Sequence, residues 1–383
     1  MQRRYQIYIP EAKNSFQAEW AEIRTQIAGA VGNGYLFVKL NIFISVTNVD
    51  EYKRYKSLIE LDLQSIFNHH LPALSITSHA PEEGFSVAVE AAHYSSGEYK
   101  VTYHSYNETP YVLVQSKYGN ELWAGGLGIS EPKIDTADAA RHAFEKVVLI
   151  LTKEGFEMDH IVRQWNYVGD ILKIENGFQN YQVFNEIRNE YYHQYRHLPG
   201  YPAATGIGMK LDGVLIDFCA VKPSDKVQIQ AVDNPKQVNP YAYNQQVLKG
   251  QIFEGKVKKQ APQFERAKLI ANCLYSSLFI SGTASIIGQE TIGKGDIEQQ
   301  TRTTIENIKI LSDKAHISAL NRQSENLPVE YSVVRVYIKN LADFPVVKEI
   351  CAQFYGDVPI LYIEADICRD DLLVEIEAEM ISA

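Results

Sequence analysis

The 383-residue chain, 45% apolar and 22% charged, has the composition of an ordinary globular protein rather than a disordered or fibrous one, and is long enough for two or three domains. Its formal charge of −10 argues against broad nucleic-acid binding, which needs a basic surface, so an anionic ligand would have to be met by locally placed arginines. Cys219, Cys273, Cys351 and Cys368 form no CxxC pair and read as reduced thiols of a cytoplasmic protein. The start, Met1 to Arg4, lacks the apolar core of a signal peptide. Apolar runs such as Val147 to Leu151 fall far short of the ~20 residues of a membrane span.

In chain order, strand-like alternation marks Tyr5 to Ile9, Tyr35 to Val46 and Ser86 to Tyr94, with one helix near Tyr52 to Phe67. These first 110 residues read as an extension of the domain that follows. Val112 to Gln115 and Leu122 to Ala124 have strand character. Ala139 to Leu151 then places Ala140, Phe144, Val147, Val148 and Leu151 on one helical face. A strand at Arg163 to Val168 precedes a second amphipathic helix, Tyr181 to Tyr192, with Val183, Phe184, Ile187 and Tyr191 on its apolar side. Strands at Ala204 to Met209 and Val214 to Val221 close the unit. Lys222 to Arg266 is proline-punctuated and too long for a bare loop, so it is expected to pack against both domains.

The same order then recurs: Leu278 to Ser281, helix Glu298 to Leu311, strand Val333 to Ile338, helix Phe344 to Phe354, and strands Ile360 to Ala365 and Leu372 to Glu379. Gly126 and Gly282 are 156 residues apart, and Asp217 and Glu375 are 158 apart. Each copy reads ββαβαββ, a mixed sheet with two helices on one face. The expected domains are therefore 1–221, with an N-terminal extension, and 222–383, comprising the linker and the second copy. A cleft between two related domains is a natural ligand site.

Several motifs carry less than they promise. Gly288 to Lys294 matches most of a P-loop, but Gly295 stands where Ser or Thr must hold Mg²⁺. His193 and His197 have a metal-ligand spacing without the adjacent Glu, and fit a solvated helix end better. His69 and His70 read the same way, so no metal is expected. The C-terminal run holds more chemistry. In a strand, Glu375 and Glu377 share one face while Val374 and Ile376 take the other. With the apolar pair in the core, the acids face either solvent or a cleft.

The second copy resembles the RidA/YjgF family of small trimeric imine deaminases through Ser281-Gly282, Gly295-Asp296-Ile297, Gln300-Thr301, Asn307-Ile308, Leu311 and Val374-Glu375-Ile376-Glu377-Ala378. That family's substrate-binding arginine follows a proline by two residues; here Pro359 is followed by Leu361, which weighs against imine hydrolysis. A narrower resemblance, to the chorismatases, spans most of residues 110–383. It rests on Trp165-Asn166-Tyr167, Pro202 to Gly208, Asn234 to Val238, Pro262 to Ala267, Ser281 to Ile286 and Ala365 to Arg369.

The resemblance implies an α/β (α+β) fold of two tandem RidA/YjgF-like (chorismate-mutase-like) units. It also implies an enzyme that releases pyruvate from chorismate with no metal or organic cofactor, beside the composition's expectation of a cytoplasmic protein with no nucleic-acid or membrane partner. Cys368, ahead of Glu375, resembles the branch that forms 3-hydroxybenzoate, with or without 4-hydroxybenzoate. Ala284 bears on that choice between one product and two. The alternatives are the hydrolytic branch, giving a dihydroxycyclohexadiene carboxylate, and a RidA-like binding protein without turnover. Glu375 is the candidate proton donor and Cys368 the residue that steers the product. Arg188 and Arg266, with Arg369 behind them, are candidates for the two substrate carboxylates, since the guanidinium fork binds carboxylate bidentately. Tyr241 and Tyr243 are candidates for orienting the ring hydroxyl. The oligomeric state stays open between monomer and homo-oligomer.

Overall fold

Asn48, Asp135 and Asp296 each precede a run of helical periodicity, and each side chain accepts a hydrogen bond from a backbone N–H in the turn that follows. A computed structural model describes residues 3–95, 99–320 and 327–382; Met1 and Gln2 of the N-terminal start lie outside the described residues.

Residues 4–94 form a unit of their own: β1 (Arg4–Tyr8), α1 (Phe16–Gly32), β2 (Leu36–Ile44), α2 (Val49–Ile66), β3 (Ala73–Thr77) and β4 (Val87–Tyr94). The middle unit follows with β5 (Lys100–Tyr106), β6 (Thr109–Ser116), β7 (Gly119–Ile129), α3 (Thr136–Lys153) and β8 (Ile161–Gly169). A small hairpin, β9 (Ile174–Glu175) and β10 (Phe178–Gln179), leads into α4 (Asn180–Tyr195), β11 (Ala203–Met209) and β12 (Val214–Pro223). The C-terminal unit begins with β13 (Gln228–Val232), β14 (Ala267–Ala271) and β15 (Ser276–Ala284). A second hairpin, β16 (Ile286–Ile287) and β17 (Glu290–Thr291), precedes α5 (Ile297–Leu311) and α6 (Lys314–Leu320). The chain ends with β18 (Pro328–Ile338), α7 (Phe344–Tyr355), β19 (Ile360–Glu364), β20 (Asp366–Ile367) and β21 (Val374–Ser382).

The two repeats have matching sheets, with β7-β12-β8-β11 in the middle unit and β15-β21-β18-β19 in the C-terminal one. The N-terminal sheet runs β1-β4-β2-β3, which is the same order again. The sequence reads these residues as an extension of the domain that follows; residues 4–94 instead form a sheet of their own, a third copy of the same topology, and β5, β6 and β20 lengthen the middle sheet. Each unit buries its helices against one face of its own sheet, around Ile23 and Ile59, around Phe144 and Phe184, and around Ile308 and Val347. The other faces meet in a shared core that draws Val38 and Tyr94, Trp123 and Trp165, and Ile270 and Phe279 from the three sheets.

Two local departures shape the site. In α4 the sequence assigns Val183 and Tyr191 to the core, but both are only half-buried, whereas Gln182, Asn185, Glu186 and Arg188 are buried. The cause is the 222–266 segment, which covers the helix on the side away from its sheet: Gln260 N–H donates to Glu186 at 2.8 Å, and Gln182 donates to Gln260 O at 3.0 Å. In the other departure, β20 leaves its own sheet and pairs with β11 of the middle unit, Ile207 opposite Ile367 and Gly208 opposite Asp366. A side chain at Gly208 would overlap Ile171 and Asp366, so the crossing requires glycine there.

Candidate active site

The alternation of β21 builds the floor of a cleft between the middle and C-terminal units. Val374 and Ile376 are fully buried beneath the C-terminal helices. Glu375 and Glu377 therefore project from the opposite face, towards the middle unit. Glu375 lies opposite Ala284 on β15 and Tyr337 on β18. The β15 register shifts between Ile280 and Thr283, and a side chain at Gly282 within that shift would overlap the Glu375 carboxyl. Glycine there is what lets the acid lie flat against the strand. Gly282→Ala is expected to displace the carboxyl, which sits at the end of a flexible side chain, while the backbone is kept. Turnover should fall by about 10²-fold, as for an ångström-scale misplacement of a reacting group, with the melting temperature nearly unchanged. Steady-state kinetics beside a thermal melt checks both parts.

The cleft is enclosed by two walls and a roof. Gln179 of β10 and Tyr181, Gln182 and Asn185 of α4 line one wall, with Ala204 and Gly206 of β11. Gly282, Ala284, Ile286, Cys368, Leu372 and Glu375 line the other. The roof comes from the 222–266 segment through Tyr243, Val247, Leu248, Lys249, Pro262 and Phe264. Gly206 permits the Tyr181 ring to lie directly on β11.

Arginine supplies the positive charge. Arg266 is 2% exposed and donates to Val238 O and Tyr243 Oη, both at 2.8 Å, while its Nε has no partner. Arg369 donates to Gln289 O at 2.8 Å and stacks over Tyr243, 5.0 Å from the ring centroid. Tyr243 is thus held by two guanidinium groups. Arg188 is 1% exposed and lies behind the α4 wall, donating to Asn185 Oδ1 at 2.5 Å, with its Nε unpartnered. Neither Arg188 nor Arg266 has a carboxylate within 4 Å among the described residues. A buried cation without a counter-ion is costly. An anionic ligand would remove that cost.

Glu375 is 4% exposed, and burial raises its carboxyl to about 8; the neighbouring Glu377 adds to the rise, while Arg163 and Arg266 oppose it. The group therefore holds a proton at neutral pH. Burial also pushes the Cys368 thiol up to about 12, with nearby Glu375 contributing. It packs with Ala284, Ile286, Ile367 and Leu372 as a neutral, apolar-walled thiol. Burial raises the Tyr181 hydroxyl as well, so it remains a donor.

Of the residues singled out from sequence, Glu375, Cys368, Arg266, Arg369, Tyr243 and Ala284 meet at this cleft, and Arg188 stands one layer behind it. Tyr241 does not line it. Its ring is 41% exposed against Tyr201, and its hydroxyl accepts from Asn239 Nδ2 at 2.8 Å. The physical reason is the 3₁₀ turn Pro240–Ala242, which breaks the alternation that would have put residues 241 and 243 on one side. Tyr181, Gln182, Asn185 and Phe264 were not anticipated. The spacing of Tyr181, Asn185 and Arg188 along one helical stripe was the available signal.

Residues 102–220 match the family described as "Chorismatase FkbO/Hyg5-like, N-terminal". A 3-hydroxybenzoate synthase of Streptomyces hygroscopicus is 32% identical over 247 residues, covering 63% of this chain and 68% of that protein. A chorismatase of Streptomyces rapamycinicus is 29% identical over 222 residues, covering 57% of this chain and 63% of the relative. Among solved structures, a chorismatase crystal structure superposes with a TM-score of 0.71 at 19% identity, over 99% of this chain and 98% of the other. The whole three-unit fold is shared with it.

Proposed function

The chain belongs to the chorismatase family, and from that premise we propose that it cleaves chorismate to pyruvate and 3-hydroxybenzoate. The observation that carries the reading is a buried carboxyl that keeps its proton at neutral pH, in a cleft flanked by two buried arginines without carboxylate partners. Chorismate brings two carboxylates and one acid-labile enol ether, which is what such a site can bind and activate.

Glu375 delivers its proton to the enolpyruvyl methylene, making the ether carbon an oxocarbenium centre open to an oxygen nucleophile. Arg266 and Arg188 take up the substrate carboxylates, Arg188 by way of the α4 wall. Tyr243, fixed between Arg266 and Arg369, orients the ring hydroxyl. In the aromatising outcome no water is consumed. One ring oxygen departs as the carbonyl of pyruvate, the other stays as the phenol, and a ring proton is lost. The hydrolytic outcome adds one water and keeps both oxygens on the ring.

The apolar wall of Ile286, Leu372 and Cys368 supports the water-free course. Because the Cys368 thiol stays protonated, its part is to exclude water rather than to attack. Cys368→Ala opens room for a water and is expected to keep pyruvate release while moving product from 3-hydroxybenzoate towards the dihydroxy acid. Chromatography of the two acids checks this, and an unchanged ratio would return Cys368 to a packing role. For the reaction itself, incubation with chorismate should release pyruvate and 3-hydroxybenzoate in equal amounts. Pyruvate accompanied only by the dihydroxy acid would favour the hydrolytic branch, and no pyruvate at all would favour a binding protein.

A further inference from the structure

The three units share more than strand order, because their registers bring equivalent residues to equivalent places. Glu90 lies opposite Asn41, Asp217 opposite Trp165, and Glu375 opposite Tyr337, so the three acids occupy one structural position. Two residues before each of those partners stands a buried cation: Lys39, Arg163 and Arg335. Each cation reaches into the next unit round the ring. Lys39 of the N-terminal unit pairs with Asp217 of the middle unit at 3.0 Å, and Arg335 of the C-terminal unit pairs with Glu90 of the N-terminal unit at 2.5 Å. By the same rule Arg163 of the middle unit should pair with Glu375. Instead it pairs with Glu377 at 2.8 Å.

The position two residues after the acid explains the difference. It is Ala92 in the N-terminal unit, Cys219 in the middle unit and Glu377 in the C-terminal one. Only the unit that carries the open cleft has a second carboxylate there. Glu377 is well held: besides Arg163 it accepts from Thr205 Oγ1 at 2.5 Å and from Trp165 Nε1 at 2.8 Å, and Arg335 stands 3.1 Å away.

We infer that Glu377 is a positioning residue that captures Arg163 and so keeps the ring's third cation off Glu375. Two of three equivalent acids are neutralised as ion pairs across their interfaces. The third is released by a competing carboxylate two residues along its own strand. The inference rests on the reading of Glu375 as proton donor. The charged and titratable groups facing Glu375 are Glu377 on its own strand, Arg163 on β8, Arg266 ahead of β14, Tyr181 on α4 and Cys368 after β20. Of the charged groups, Glu377 pushes the Glu375 proton affinity up while both arginines pull it down. Removing Glu377 deletes the push and frees Arg163 to turn towards Glu375; removing Arg163 deletes one pull.

The test is the pH dependence of pyruvate release from chorismate, measured on Glu377→Gln and Arg163→Met separately and beside Glu375→Gln. The alkaline midpoint should move down by about 1 pH unit or more in Glu377→Gln, as for a carboxyl that gains a close cation, and move up in Arg163→Met. A pair that merely braces the fold would lower rates without moving the midpoint in opposite directions. If one variant does not fold, the sign of the shift in the other decides. If neither folds, or if both leave the midpoint unmoved, the pair is scaffold and the inference is overturned. An active Glu375→Gln enzyme would instead remove the proton-donor reading, a separate result.

Discussion

Replacing Glu375 with Gln is expected to lower pyruvate release from chorismate by ~10² or more, the usual loss when a general acid is removed. Gln keeps the shape that Gly282 accommodates but has no proton to give. The wild-type pH profile should be flat on the acid side and fall as pH rises through about 8, because the active form is the protonated one. The sign for stability is the same. A carboxyl whose folded value is raised from 4.5 to about 8 contributes stability that is fully present below 4.5 and lost as pH rises through about 8. The Gln variant, which has no charge to bury, should therefore melt higher than wild type at pH 9 and nearly level with it at pH 4. Thermal melts at the two pH values, beside the kinetics, check this. Near-normal turnover in the variant would end the assignment.

Arg266→Gln is expected to have the second largest effect. The guanidinium is buried at the roof of the cleft with a free Nε, and on the proposed reading its loss removes a charge-assisted contact to a substrate carboxylate. Truncating one side of such a buried pair costs about 2–5 kcal/mol, so kcat/KM for chorismate should fall by roughly 30-fold to a few thousand-fold. Because Arg266 has no carboxylate partner among the described residues, the same change should cost little stability. A variant that melts well below wild type yet, while folded, binds chorismate with normal affinity would show that Arg266 serves the fold and not the ligand. Tyr243 also loses its donor in this variant, so a part of the effect will pass through the ring that Arg266 and Arg369 hold between them.

The face of β21 that carries the acids was legible from sequence because a strand's period is two and the apolar partners are adjacent. Val374 and Ile376 had to go one way, so Glu375 and Glu377 had to go the other. The two repeats were legible because their glycines, helices and closing strands recur at nearly constant spacing. The third copy was not. In its strand β4 the same-face neighbours of Glu90 are Ala88 and Ala92, so no row of acids alternates with apolar residues as Glu375, Glu377 and Glu379 do along β21. Glu90 is satisfied by Arg335, 245 residues away, and no local pattern reports a contact at that distance. The same holds for Arg163, whose carboxylate partner lies 214 residues on. Residue types and spacing find the acid; only the folded ring shows which acid has been left without a cation.

The crossing of β20 onto the middle sheet has one more consequence. The described residues that line the cleft, from Gln179 to Glu375, come from two units of one polypeptide, and β20 of the second unit is added to the edge of the first unit's sheet. The two walls therefore cannot separate by dissociation, and dilution leaves the local concentration of one wall beside the other unchanged. These two walls need no encounter between chains to face one another.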